Sequence, residues 1–474
     1  MIKTKTIATV GPASSSAEML GAMIDGGVDV FRLNFSHGTL AEHKQVLDCI
    51  RRLAAERDAA VAVMGDLAGP KIRIGEVQPG CEPIRSGDEL VIQREPIVGD
   101  HRRVSTTWPG MLDDVQIGQR VLINDGHIQM RVESKAADSI VCRCLHGGPL
   151  SSHKGINLPD TDLNVPSLTP KDLIDLEWAI EQQVDYLAIS FVRHPDDVRA
   201  LRKRLRDAGS DIAVIPKIEK PQAIEHLDDI IDQSDGILVA RGDLGVEMEL
   251  AEVPPLQKHI TVRCQAAGKA VIIATEMLQS MVTSPTPTRA EVSDVANAIL
   301  DTADAVMLSA ESAIGEYPAQ AVTVLQNICE KTEAYLNQTP QPPLATIEHR
   351  ELKRTSSLAH SAKTLADSLD PPLVAVWTRS GNSARLLSKH RFRQPIIALT
   401  DNPRTLNKLA LNYGVISVMS PAPQDTADML ACLDRTLLDN GWVTPGDTVI
   451  VIAGTHYQQT GGNNALLIHT VGQG

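Results

Sequence analysis

Eight short apolar runs recur over residues 6–311, each ending in polar residues and most followed by an amphipathic segment. They occupy 6–10, 28–34, 60–66, 184–190, 211–219, 235–243, 270–276 and 304–311. A continuous apolar run is a strand buried on both faces, and a helical segment between two such strands makes their pairing parallel. Thr169 before Pro170 reads as a helix N-cap and first turn, Gly209 as a helix stop, and a helical pattern over 318–336 closes the series. Eight strands alternating with helices are what a (β/α)8 TIM barrel needs. The competing architecture, a doubly wound open sheet, usually carries a glycine-rich first turn, and the stretch after the first run, GPASSS at 11–16, does not match GxGxxG. Aromatic residues are only 3%, so the core must be built from Ala, Val, Ile and Leu, as buried parallel sheets are.

The third repeat is interrupted. From Lys71 to about Ser167 long helical periodicity gives way to strand-like runs at 89–94, 120–125 and 139–144, separated by Gly, Pro and Asp turns. This reads as a small β domain inserted in a βα loop, at the catalytic end of the barrel, where it would serve as a lid. A Pro-rich polar stretch at 337–351 reads as a linker, and shorter βα units follow with strands at 374–378, 395–400, 415–419 and 448–454. The expected organisation is a catalytic barrel over 1–70 and 168–338, an inserted β-barrel lid over 71–167, and a C-terminal α/β regulatory domain over 339–474.

The net charge of −14 argues against a generic nucleic-acid scaffold but leaves room for a local basic cleft. No apolar stretch is long enough to span a bilayer, and the first residues lack a signal-peptide pattern, so a cytoplasmic protein is expected. Seven scattered cysteines without zinc spacing read as reduced thiols.

Polar residues at the C-terminal ends of barrel strands converge on one mouth. Arg32, Asn34 and Ser36 are spaced i, i+2, i+4 and are expected on one face, as are Lys217 and Glu219. Asp66, Ser190, Arg241, Asp243, Thr275, Glu276, Ser309 and Glu311 join them. Two carboxylates, Glu219 and Asp243, suit a hard divalent cation, and Arg32 with Lys217 suits a phosphate or an enolate. Gly242 lets backbone approach a ligand. The residues alone point to an Mg2+-dependent enzyme acting on a phosphorylated carboxylate. In the last domain TRSGNSAR at 378–385, after a strand and before a helix, reads either as a phosphate cradle or as a capped turn.

The motifs VFRLNFSHG (30–38), GDLAGPKIR (65–73), KGINLP (154–159), IPKIEKP (215–221), VARGDLGVE (239–247), ATEMLQSM (274–281) and the stretch 287–312 together resemble pyruvate kinase, in order and over essentially the whole chain. The resemblance implies Mg2+-dependent (or Mn2+-dependent) phosphoryl transfer from phosphoenolpyruvate to ADP, giving pyruvate and ATP in glycolysis, in a homotetramer with no nucleic-acid or membrane partner. It assigns the phosphoryl group and enolate to Lys217 and the phosphoryl group also to Arg32. It gives Mg2+ to Glu219 and Asp243, and the pyruvate carboxylate to Gly242, Asp243 and Thr275. Proton relay to the enolate falls to Thr275 and Ser309, and the nucleotide to Asn34, Ser36, His37, Arg73 and Lys154. A phosphorylated effector falls to the loop bearing Thr378, Arg379, Ser380, Gly381 and Ser383.

The family's monovalent-cation pocket maps to Asn34, Ser36, Asp66 and the Leu67 carbonyl. K+-dependent members carry a glutamate where Lys71 stands here, and the GPKIR motif resembles the K+-independent bacterial branch, so K+ is not expected to be strictly required. Ser312 and Glu276 depart from the commoner Thr and Gln, and the tail 454–474 resembles the family only loosely. A lyase, either a Mg2+-enolate aldolase or a Schiff-base aldolase with Lys217 as the nucleophile, and a non-catalytic metabolite sensor using only the C-terminal cradle are the competing readings.

Overall fold

The computed structural model describes residues 1–339, 353–454 and 463–473; most of the expected linker and part of the glycine-rich tail lie outside them. Strands β1 (Lys5–Val10), β2 (Val30–Asn34) and β3 (Ala62–Leu67) open a barrel that the chain leaves after β3. An inserted sheet follows, with β4 (Glu89–Gln93), β5 (Arg103–Ser105), β6 (Arg120–Ile123), β7 (Ile128–Lys135), β8 (Ser139–His146) and β9 (Ile156–Asn157). The chain then returns to β10 (Tyr186–Ile189), β11 (Ala213–Ile218), β12 (Gly236–Ala240), β13 (Ala270–Ala274) and β14 (Ala305–Leu308). The eight barrel strands close in the order β1-β14-β13-β12-β11-β10-β3-β2, all parallel. The open-sheet alternative is excluded by this closure.

The barrel forms because its strands are apolar on both faces. Ile7, Val30, Met64, Ile215, Leu238 and Ile272 fill the interior, while the opposite faces pack under the helices. Each such side chain contributes about 1.5–3 kcal/mol by leaving water. Capping boxes set the starts of the helices Leu40–Glu56 (Thr39 with Glu42), Pro170–Glu181 (Thr169 with Asp172) and Arg289–Leu300 (Thr288 with Glu291). Each is worth about 1 kcal/mol. Asp172 also accepts from the Gly69 N–H at 3.2 Å, tying the point where the chain leaves the barrel to the next helix.

The inserted sheet runs β5-β4-β8-β7-β6-β9. The segment 72–75 bridges both of its edges, pairing Arg73 with Gly155 and Ile74 with Thr106, so a small barrel results around its own apolar core. Three further strands, β15 (Val374–Trp377), β16 (Ile396–Thr400) and β17 (Val415–Met419), join β18 (Thr448–Gly454) and β19 (Asn463–Thr470) in a five-stranded sheet ordered β17-β16-β15-β18-β19, parallel except for β19. This C-terminal layer plugs the N-terminal end of the barrel, where Ala410 and Leu411 join the interior cluster and Tyr186 Oη donates to the Lys408 carbonyl.

Candidate active site

At the other end of the barrel the side chains are polar. Arg32 is 9% exposed and sits between two acceptors, with Nε 2.6 Å from Asp66 Oδ2 and Nη1 donating to Thr9 Oγ1 at 3.1 Å. Lys217 Nζ lies 2.8 Å from Glu219 Oε1, 3.7 Å from Asp66 Oδ2 and 3.0 Å from Ser190 Oγ. Asp66 thus stands between both cations. Burial alone would raise its carboxyl, but Lys217 and Arg32 outweigh burial and hold it below the ordinary range. Burial likewise opposes the Lys217 ammonium, and Asp66 and Glu219 reverse that and keep it well above its usual value.

Glu219, 1% exposed, takes the Phe191 N–H on its other oxygen at 2.7 Å. Burial pushes its carboxyl up; Lys217 opposes that and the neighbouring Asp243 carboxylate adds to it. The Asp243 carboxylate accepts no hydrogen bond among the described residues. Two close carboxylates, one held in place and one with free lone pairs, make a donor set that fits a divalent cation. No group of three or more His, Cys, Asp or Glu side chains poised for a metal occurs among the described residues. A cation here would therefore complete its shell with substrate oxygens and water, the habit of Mg2+.

Two expected strand ends are something else. The run at 235–243 leaves the sheet after Ala240, and Arg241–Glu247 is a helix carrying Gly242 and Asp243 in its first turn. Its N-terminal N–H groups face an acceptor: Gly242 N–H donates to Thr275 Oγ1 at 2.7 Å. A Cβ on Gly242 would stand 3.3 Å from that oxygen, so the close approach favours glycine. Thr275 and Glu276 lie beyond β13 with left-handed backbones, φ 70° and 55°, a strained pair of non-glycine residues. Arg241 turns to Asp294 at 2.7 Å and to the Thr275 carbonyl at 3.0 Å, bracing the strand end. Glu311 is another brace, fully buried and accepting from the Leu278 and Ser309 N–H groups at 2.9 and 2.7 Å. Ser309 Oγ, by contrast, is buried and has no hydrogen-bond partner among the described residues.

The expected alternation through Arg32, Asn34 and Ser36 holds for the first two residues only. β2 ends at Asn34, and Ser36 lies in the turn beyond it, exposed, its N–H capped by Asn34 Oδ1 at 3.1 Å. His37 is exposed in the same turn, its carbonyl 3.0 Å from His43 Nε2. The Leu67 carbonyl accepts from Ser190 Oγ at 2.8 Å.

Arg73 and Lys154 are brought together on adjoining segments of the inserted domain. Ile74 N–H donates to the Lys154 carbonyl at 2.9 Å, and Arg73 Nη1 to the His153 carbonyl at 2.9 Å. That domain touches the mouth. Lys71 and Asn157 share with Phe191, Lys220 and Asp243 a cleft of about 30 Å3. Asn157 Nδ2 donates to Glu247 Oε1 at 2.6 Å, and Lys220 Nζ pairs with the same oxygen. This latch, and Thr9 behind Arg32, escaped the sequence reading. No sequence signal marks either: the Thr9↔Arg32 register and the meeting of Asn157 with Glu247 are set by tertiary pairing.

In the C-terminal layer Thr378 Oγ1 accepts from the Gly381 N–H at 3.1 Å, and Gly381 has φ +82°. Arg379 lies 3.5 Å from Asp401, Ser380 is exposed, and Ser383 stands in the first turn of the helix Asn382–Ser388.

Comparison with known proteins follows the same division. The family described as "Pyruvate kinase, barrel domain" matches residues 1–322, and "Pyruvate kinase, alpha/beta domain" matches 356–469. A pyruvate kinase of Mycobacterium intracellulare is 38% identical over 99% of this chain and 98% of its own length. One of Bacillus licheniformis is 38% identical over all of this chain and 81% of its own. Among solved structures, a pyruvate kinase from Cryptosporidium parvum superposes with a TM-score of 0.89 at 34% identity, over 99% of this chain and 96% of that one.

Proposed function

The chain belongs to the pyruvate kinase family and is a phosphotransferase of phosphoenolpyruvate, ADP/ATP and pyruvate; from that premise we propose how its own residues carry the reaction. The observation that carries the reading is the array at the mouth in which Arg32 pairs with Asp66 at 2.6 Å and Lys217 with Glu219 at 2.8 Å, with Lys217 also 3.7 Å from Asp66. In the forward direction the P–O bond to the enol oxygen breaks as a bond to an ADP β-phosphate oxygen forms. The electron pair left on the enol oxygen makes an enolate, which then takes a proton at its methylene carbon. There is little covalent work for protein groups; the demand is for position and positive charge.

Arg32 is held by Asp66 and Thr9 so that it can meet the phosphoryl oxygens, and Lys217 supplies the charge that the transferring group and enolate need. Gly242, Asp243 and Thr275 receive the carboxylate. Thr275 and the unpartnered Ser309 hydroxyl hold the water that delivers the proton. Glu219 and Asp243 would hold Mg2+ or Mn2+, which neutralises charge on the phosphate and carboxylate oxygens when bound. Asn34, Ser36, His37, Arg73 and Lys154 flank the nucleotide. The inserted domain (71–167) meets the barrel (1–70 and 168–338) through Asn157 on Glu247, where it would serve as a lid over the bound nucleotide. A Schiff-base lyase needs Lys217 with a lowered pKa; it is raised.

A coupled assay with phosphoenolpyruvate and ADP, with and without Mg2+, tests the reading, and absence of pyruvate formation in all conditions refutes it. Asp243→Asn and Glu219→Gln are each expected to raise the Mg2+ concentration for half-activation about tenfold or more, because each removes a unit charge from a two-carboxylate site. Superimposable Mg2+ titrations would remove these residues from the metal site.

We further propose that the C-terminal domain (339–474) is regulatory and that the loop of Thr378, Arg379, Ser380, Gly381 and Ser383 holds the phosphate of an effector. Replacing Thr378, Ser380 and Ser383 together by Ala is expected to abolish activation by phosphorylated effectors and leave basal turnover unchanged. Activation equal to wild type would reduce the loop to the capped turn that the Gly381–Thr378 bond already makes. A glycolytic role in the cytoplasm as a homotetramer completes the proposal, supported by the family. Among the described residues no helix is long and apolar enough to cross a membrane, and all the cysteines there are free.

A further inference from the structure

Lys220 and Glu247 flank the carboxylates proposed to hold the metal. Lys220 directly follows Glu219, and Glu247 closes the helix Arg241–Glu247 that carries Asp243 in its first turn. Their side chains are 10% and 1% exposed, and Lys220 Nζ pairs with Glu247 Oε1. The same oxygen accepts from Asn157 Nδ2 at 2.6 Å, so β9 of the inserted domain reaches the pair. Glu247 Oε2 is buried and has no hydrogen-bond partner among the described residues.

Glu219 and Asp243 stand on separate elements. The β11–β12 ladder ends at Ile218↔Val239, before either carboxylate, and beyond it the Lys220–Glu247 ion pair spans the two elements. On the β11 side, Phe191 has a left-handed backbone, φ 56°, uncommon for a bulky residue, and it donates its N–H to Glu219 Oε2 at 2.7 Å. Lys220 Nζ lies over the Phe191 ring, 6.0 Å from its centre, so the residue that holds Glu219 and the residue next to Glu219 pack on each other. On the other side, Glu247 is one turn along its short helix from Asp243, and whatever holds the one holds the other. A charge pair this buried is held firmly, because either partner alone would leave an uncompensated charge away from water.

We propose that Lys220 and Glu247 are positioning residues that fix the spacing of the Glu219 and Asp243 carboxylates for a divalent cation, and that Asn157 makes this spacing depend on docking of the inserted domain. The proposal rests on the reading that Glu219 and Asp243 hold the metal. Sign separates positioning from simple charge. Lys220 is a cation near a cation site, so by Coulomb repulsion alone its loss would tighten metal binding, whereas loss of the Glu247 carboxylate would weaken it. Where the pair sets the spacing, loss of either partner weakens binding. Docking of the inserted domain and metal binding then favour each other, since coupling between two sites is reciprocal.

Mn2+ binding to the full chain without substrate, read from the electron paramagnetic resonance signal of unbound Mn2+, tests this. Lys220→Met and Glu247→Gln are each expected to weaken binding about 10–100-fold, the usual effect of removing a group that orients a metal ligand. The double variant Lys220→Met/Glu247→Gln should bind no more weakly than the worse single variant, because the same contact is lost in all three. Asn157→Ala should weaken binding by a smaller factor. Asn157 is half-buried on the inserted domain and its loss leaves the ion pair intact, so this variant decides the matter if the buried ones fail to fold. Tighter binding by Lys220→Met, wild-type affinity in either folded single variant, additive losses in the double variant, or wild-type affinity in Asn157→Ala would each overturn the proposal. Glu219→Gln and Asp243→Asn serve as references. Weakened binding there beside wild-type binding in the Lys220 and Glu247 variants defeats the positioning role alone, whereas wild-type binding in the references defeats the metal-site reading and the positioning role with it.

Discussion

Lys217→Met is expected to lower kcat by about 10²–10⁴ while KM for phosphoenolpyruvate changes only severalfold. The side chain is buried at the mouth, 12% exposed, between Asp66 and Glu219. Methionine keeps the length and apolar stem of lysine, so the cavity stays filled. What disappears is an ammonium placed to meet charge that grows as the P–O bond breaks. Such a group acts chiefly on the transition state, which is why the loss should fall on kcat. The substitution also leaves two buried carboxylates short of a cation, so a lower Tm is expected. Measuring Tm alongside kcat separates the two effects. A folded variant with kcat within a few-fold of wild type would remove Lys217 from the chemistry.

The second large effect concerns monovalent cations. Wild type is expected to keep most of its turnover when tetramethylammonium replaces K+, and Lys71→Glu is expected to lose about 10² of it in that buffer and regain much of it on adding K+. Three of the four groups that would surround K+ already accept from protein donors. Asn34 Oδ1 accepts from Ser36 N–H, the Leu67 carbonyl from Ser190, and Asp66 from Arg32. Lys71 is exposed and lines, with Asp243, the cleft between lid and mouth. A fixed ammonium and a bound K+ each place one positive charge near the phosphoryl oxygens, and a glutamate at this position would change the local charge by two units. A wild-type enzyme that is almost inactive until K+ is added would refute this.

The eight barrel strands were legible in the sequence because a strand buried on both faces must be apolar throughout. Each expected run overlaps an observed strand, as 211–219 overlaps β11 and 304–311 overlaps β14. Lys217 and Glu219 were legible as partners because they straddle the end of one strand, where the period-two rule still holds. The same rule failed at Ser36, at Arg241–Asp243 and at Thr275 for one reason. Once ladder hydrogen bonds stop, nothing keeps the chain pleated, and a turn, a helix or a left-handed residue takes over. β7 went unread because IQMRVESK buries only alternate residues and looks polar, and β19 because its tail lacks a long apolar run.

By itself, then, the sequence determined the alternation of buried strands and helices, the interruption after β3, and the acids and bases at the strand ends, all of them local facts about which face leaves water. Tertiary structure alone decided which distant residues meet. Barrel closure sets Arg32 against Asp66 and Asp66 against Lys217, and the folded-back insert sets Asn157 on Glu247. Docking of the C-terminal layer sets Arg385 and Asn412 facing Lys269 across one cavity. No periodicity marks such pairs, because hydrophobic patterning records burial but is silent about strand order, register and the packing of one domain on another.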